Sequence, residues 1–166
     1  MNELSFERVA RTIYEAPLGK YMGRDGSEVL AQYAGAELEL HDREPLYRKG
    51  EPGKAFYIVT RGRLAMVREG TDHRKELILH VLEEGDMTGE LTFVDGTQHT
   101  VTCIALGDAS VLTFEVKDVN YLIENHPYVV YNFMRAVIVR VHQTNAAISR
   151  QQQELAEYIS TGGRRQ

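Results

Sequence analysis

Between about Ala36 and Val116 the chain is cut by Gly50, Gly53, Gly62, Gly70, Gly85, Gly89, Gly96 and Gly107 into pieces too short for ordinary helices. The pieces themselves are apolar, β-branched or aromatic: "FYIVT" (Phe56 to Thr60), "RLAMVR" (Arg63 to Arg68), "ELILHVL" (Glu76 to Leu82), "TVTCIAL" (Thr100 to Leu106) and "SVLTFEV" (Ser110 to Val116). Period two fits them better than period 3.6, so this stretch is expected to form a two-sheet β sandwich or barrel. Helical spacing is expected on either side of it: Leu4 to Glu15 and Ser27 to Tyr33 before, "DVNYLIEN" from Asp118 after, and then a segment that opens at Pro127.

That last segment, Pro127 to Ser160, has no glycine and no further proline until Gly162-Gly163, which predicts one long helix. Met134, Val137, Val141, Thr144, Ile148, Gln151, Leu155 and Tyr158 follow one another at alternating spacings of three and four, as in the seam of a two-stranded coiled coil. For the first half of the helix a plainer reading stays open, in which Tyr131, Met134, Val137, Ile138 and Val141 pack on the β block. Past Ile148 there is no domain left to cover, so a homodimer through residues 127–160 is expected. The organisation is then N-terminal helices over 1–35, a β core over 36–116, C-terminal helices over 117–160 and a tail over 161–166.

Composition limits the function. At 166 residues, 43% hydrophobic and 26% charged, the chain has enough apolar material for one genuine core. A net charge of -5 gives no global attraction to nucleic acid or anionic lipid, so any anion must be met by a local site. No apolar run reaches the roughly 18 residues of a membrane span, and a cytoplasmic protein is expected. The single cysteine, Cys103, stands in an apolar strand and reads as a buried, inert thiol. Six histidines include no His-x-His pair, which speaks against the metal-dependent cupin type of β-barrel enzyme, and no nucleophile motif stands out; an enzyme is not expected.

The stretch "GELTFVDGTQHTV" from Gly89 to Val101 carries the chemistry. A glycine before a one-turn helix lets a ligand approach the backbone, and the first N–H groups of that turn have no partner within the helix, so they suit an anion. Glu90 would repel the anion but accept hydrogen bonds from hydroxyls beside it, and the pair suggests a sugar phosphate.

Together, "YRKGEPGKAFYIVTRGRLAMV" (Tyr47 to Val67) and "LEEGDMTGELTFVDGTQHTVTCIAL" (Leu82 to Leu106) resemble the cyclic-nucleotide-binding domain family, over roughly Leu38 to Val141. The resemblance implies a mainly β fold with flanking helices, a β jelly roll followed by a long C-terminal helix, and a regulatory role with cyclic AMP or cyclic GMP as ligand and no other cofactor. It implies that Glu90 meets the ribose 2′-hydroxyl, and that backbone amides around Gly89, Leu91 and Thr100 meet the cyclic phosphate. The family places an arginine ten residues after the glycine; here that position is His99, followed by Thr100. Histidine is mostly neutral at pH 7, and losing a charge-assisted bond of about 1.5–3 kcal/mol weakens binding about ten- to a hundredfold. His99 is thus expected to be a weak, pH-dependent phosphate donor, or a loop residue in a cassette without its ligand. Gln98 replaces a frequent proline and Thr88 a frequent aromatic of the family. Transcription regulators of similar sequence continue into a DNA-reading domain, whereas only "TGGRRQ" follows Ser160 here; action through a separate protein partner, without direct DNA binding, is the expectation. A dimeric scaffold that binds no nucleotide, and a sensor of another anion such as a cyclic dinucleotide, remain as alternatives.

Overall fold

The computed structural model describes residues 3–69, 76–115 and 119–160. Helices α1 (Glu3–Glu15) and α2 (Gly19–Ala31) lead into strands β1 (Ala34–Leu40), β2 (Pro45–Tyr47), β3 (Ala55–Arg61), β4 (Leu64–Glu69), β5 (Glu76–Leu82) and β6 (Met87–Thr88). A short helix α3 (Glu90–Asp95) precedes β7 (Thr102–Ala105) and β8 (Ala109–Glu115), and the chain closes with α4 (Val119–Asn125) and α5 (Pro127–Ser160).

The strands form two four-stranded antiparallel sheets of order β1-β8-β3-β6 and β2-β7-β4-β5, the two layers of a jelly roll. Distant strands meet in both: Ala34 of β1 lies opposite Phe114 of β8, and Tyr47 of β2 opposite Cys103 of β7. Strand β3 reads as a continuous apolar run because both of its faces are covered. Val59 points into the inter-sheet core with Leu64, Leu82, Cys103 and Val111. Phe56 and Ile58 point the other way, into a second core with Ile13, Leu30, Val129 and Phe133 from the helices.

Two expectations are corrected. Helix α2 begins at Gly19, eight residues before the expected Ser27, and passes through a left-handed residue at Gly23 (φ 64°). Its packing explains why glycines are tolerated there: Met22, Leu30 and Ala31 are buried in the helical core, and a side chain at Gly26 would press on Met22. The seam expected on α5 is also displaced. Val137 is 6% exposed and sits in its own domain's core with Val129, Phe133 and Ala136, while Tyr131, Met134 and Ile138, which the plainer reading would bury, face solvent. From His142 to Ser160 every residue of α5 is exposed. No helix among the described residues is long and apolar enough to cross a membrane. Of the sequence-level expectations, Gly70, Val116, Asp118 and the 161–166 tail lie outside the described residues.

Candidate functional site

Helix α3 is entered through Gly89, whose left-handed backbone (φ 78°) a side chain would disfavour. Space forbids one as well: a Cβ there would lie 3.0 Å from the Ala55 carbonyl oxygen and 3.6 Å from His99 Cε1. Two bonds brace the turn, with Phe93 N–H and the Thr92 hydroxyl each donating to the Gly89 carbonyl at 3.0 Å. At its far end, Asp95 accepts from the Thr97 N–H (2.9 Å) and hydroxyl (2.6 Å), and these bonds hold its carboxyl below the usual range.

The β2–β3 loop clamps the return segment. Gly50 N–H donates to the His99 carbonyl, His99 N–H to the Glu51 carbonyl, and Gly53 N–H to the Thr97 carbonyl, all at 2.8–3.1 Å, while Gln98 pairs with Pro52 as an isolated bridge. Gly53 lies so close to α3 that a Cβ would meet Thr92 Cβ at 2.3 Å.

His99 is turned inward. Only 6% exposed, its ring stacks on Tyr47 with centroids 3.8 Å apart and planes at 10°, and its Nδ1 lies 3.3 Å from the Thr92 hydroxyl. Burial lowers its pKa, and Glu51 offsets this only in part, so the ring is neutral at pH 7. Tyr47 reaches further in, its hydroxyl 2.5 Å from that of Thr88, so an aromatic ring reaches Thr88 from a different strand. Burial also raises the pKa of the Tyr47 phenol and pushes the Cys103 thiol up to about 12, leaving both neutral and the thiol unreactive.

Glu90, 7% exposed, carries the site's most costly charge. Burial raises its pKa, and Arg140 of α5 opposes the rise: Arg140 Nε stands 3.5 Å from Glu90 Oε1, and Nη1 donates to the Met87 carbonyl. One guanidinium therefore joins the long helix to β6 and to the first residue of α3. A second link runs through rings. Phe93 of α3 meets Phe56 and Phe133 edge-on at 5.0 and 5.8 Å, and Phe56 in turn stacks on Phe114.

Of the residues singled out in the sequence, the fold gathers Gly89, Glu90 and His99 at one place, while the side chains of Leu91 and Thr100 face solvent beside it. Arg140 and Tyr47 went unread. For Arg140 one signal existed: Val129, Phe133, Val137 and Arg140 recur at spacings of four, four and three, putting an arginine on the face of α5 that packs on the domain. Among the described residues no three His, Cys, Asp or Glu side chains converge as a metal site. The arrangement offers a buried carboxylate with a long-range counter-ion and the N-terminus of a short helix, with the exposed Thr100 next to His99.

The sequence profile of the family described as cyclic nucleotide-binding domain matches residues 37–126. Among curated relatives, lysophospholipase NTE1 of Cryptococcus neoformans is 30% identical over 108 residues, which span 63% of this chain and 6% of that enzyme. The cyclic AMP receptor protein of Thermus thermophilus is 24% identical over 102 residues, covering 61% of this chain and 47% of the receptor. This chain thus spans at most about half the length of these relatives. A similar solved structure is the N-terminal domain of a transcriptional regulator from Streptomyces coelicolor, with TM-score 0.70 and 28% identity over 82% of this chain and 96% of that one.

Proposed function

Since this chain belongs to the cyclic nucleotide-binding domain family, we propose that it is a non-enzymatic, cytoplasmic regulatory domain that senses a cyclic nucleotide and passes its state to a protein partner as a homodimer. The observation that carries the reading is the double tie between α3 and α5, by Glu90 with Arg140 and by Phe93 with Phe133. A ligand that takes Glu90 for its ribose hydroxyls competes with Arg140 for the same carboxylate. Binding energy then differs between a state in which Arg140 is held and one in which it is released, and that difference is what a sensor requires. Gly89, Leu91 and Thr100 would offer the phosphate backbone N–H groups and a hydroxyl. His99 would act from below Gly89, as a neutral single donor at pH 7 and a charged one only when protonated; the freed guanidinium of Arg140 is a source of permanent positive charge.

One observation favours the scaffold alternative: Glu90 is paired with Arg140 and the His99 ring is stacked on Tyr47, so the polar groups of the cassette find partners within the chain. Calorimetric titration with cyclic AMP and cyclic GMP at pH 6 and pH 8, on the native chain and His99→Arg, separates the two. Micromolar binding by the native chain is the expected result, tighter at pH 6 if His99 donates when protonated. Binding that appears only in His99→Arg would mean an intact pocket lacking its charge, and silence from both variants would leave the scaffold.

A further inference from the structure

The docked part of α5 ends at Arg140. Val129, Phe133, Ala136 and Val137 are buried on the domain, Arg140 then reaches Glu90 and the Met87 carbonyl, and from His142 to Ser160 every residue is exposed. The two charges of this last fastening are unequally placed. The Glu90 side chain is 9% exposed and that of Arg140 27%. Helix α3 is seated on β3, so the carboxyl stays covered with or without the arginine, whereas the guanidinium has a path to water. A proton on Glu90 therefore cancels one charge of the pair without moving the carboxyl, and leaves Arg140 beside a neutral group that holds it weakly.

We propose that Glu90 is a proton-operated catch for α5: its protonation lets go of Arg140 and moves the docked end of the helix back to Val137. This rests on the Glu90–Arg140 tie invoked for the nucleotide reading and gives it a second input, one that needs no nucleotide, so silence in the calorimetric titration leaves it standing. Burial holds the Glu90 pKa above its ordinary value while Arg140 opposes the rise, and withdrawing the arginine raises it further. The released form thus binds the proton more tightly than the fastened one. Release sets in as pH falls below the pKa of the released form and is complete below that of the fastened form. The other titratable groups around this end of α3 do not produce the effect. Tyr47 from β2 and Tyr57 from β3 are phenols whose pKa burial raises, neutral throughout. Asp95 lies at the far end of α3, with its carboxyl held below the usual range, and Glu51 acts on the His99 side. His99, whose pKa burial lowers, gains its charge in acid and would hold Glu90 ionised, which opposes release.

The test is amide hydrogen exchange of the full chain without nucleotide at pH 5 and pH 8, corrected for the intrinsic pH dependence of exchange. Residues 137–144, whose helical bonds span the fastening, report release, and residues 129–133 serve as the internal reference. In the native chain protection of 137–144 is expected to fall by roughly threefold or more from pH 8 to pH 5 while the reference holds. Glu90→Gln and Arg140→Met should show the low protection at both pH values, and His99→Gln should keep the native drop. Should Glu90→Gln fail to fold by circular dichroism, Arg140→Met carries the same comparison. Native protection that is equal at the two pH values, or higher at pH 5, overturns the catch. So does a drop that persists in Glu90→Gln or Arg140→Met, or one that vanishes in His99→Gln, which would assign the proton to the imidazole.

Discussion

Replacing Arg140 by methionine keeps most of the apolar stem and removes the guanidinium that faces Glu90 at 3.5 Å and binds the Met87 carbonyl. Breaking a fully buried ion pair by removing one partner costs about 3–5 kcal/mol. The Arg140 side chain is 27% exposed, so water can soften the loss, and about 1–3 kcal/mol is the better expectation. For a chain of this size that lowers Tm by roughly 3–10 °C. The loss should also depend on pH. Burial already holds the Glu90 pKa above its ordinary value, and without Arg140 it rises further. A carboxyl with a raised native pKa costs nothing below its unfolded value of about 4.3, where both states are protonated; the cost grows as pH rises and is complete above the native pKa. The deficit of Arg140→Met is therefore smaller at pH 5 than at pH 8. Thermal unfolding followed by circular dichroism at both pH values, for the native chain, Arg140→Met, Glu90→Gln and the double variant, checks this. In the Glu90→Gln background, removing Arg140 should cost less than half as much. Equal losses at the two pH values, or an undiminished loss without the carboxylate, would refute the charge argument and leave only the arginine stem and its carbonyl bond.

Two other substitutions probe the floor of the cassette. Gly53→Ala would set a methyl 2.3 Å from Thr92 Cβ, and because backbone atoms of Thr92 also crowd the position the expected loss is about 3 kcal/mol; it should appear as a lower Tm together with faster amide exchange across residues 90–99. Tyr47→Phe leaves the stack on His99 but orphans the buried Thr88 hydroxyl, costing about 1–3 kcal/mol in urea unfolding with an unchanged m-value. Adding Thr88→Val should recover most of that loss.

The strands with enough apolar residues to carry period-two patterning were legible, as was α5, whose bounds coincide with the Pro127–Ser160 segment set off by proline and glycine. Strand β1 and the short strands β2 and β6, three and two residues long, were not. They exist because Leu38 finds Val111, Pro45 finds Ile104 and Thr88 finds Tyr57, pairings that leave no local trace. The early start of α2 was hidden by Gly23 and Gly26, poor helix formers kept in place by packing. On α5 the expected seam includes Val137, and its burial in its own domain is a product of packing that the alternating three-and-four spacing does not announce. At the site, Gly89 and Glu90 announced themselves by chemistry. Arg140 stands fifty residues further on in a segment whose period describes packing, so its contact with Glu90 is a property of the assembled fold.

The pairing of β1 with β8 also sets the order in which the molecule can assemble. Ala34 waits for Phe114, and Tyr47 for Cys103, so the outer strands close long loops and dock late. The β4–β5 hairpin needs no such partner and can form early. When it does, β5 is a sheet edge carrying Leu77, Ile78 and Leu79, which stay about half exposed even in the finished fold. A nascent chain thus shows a sticky strand edge while its slowest contacts are still missing. Expression at lower temperature or with chaperones favours such a chain, and a charge at residue 78 would raise its folding yield without touching the cassette.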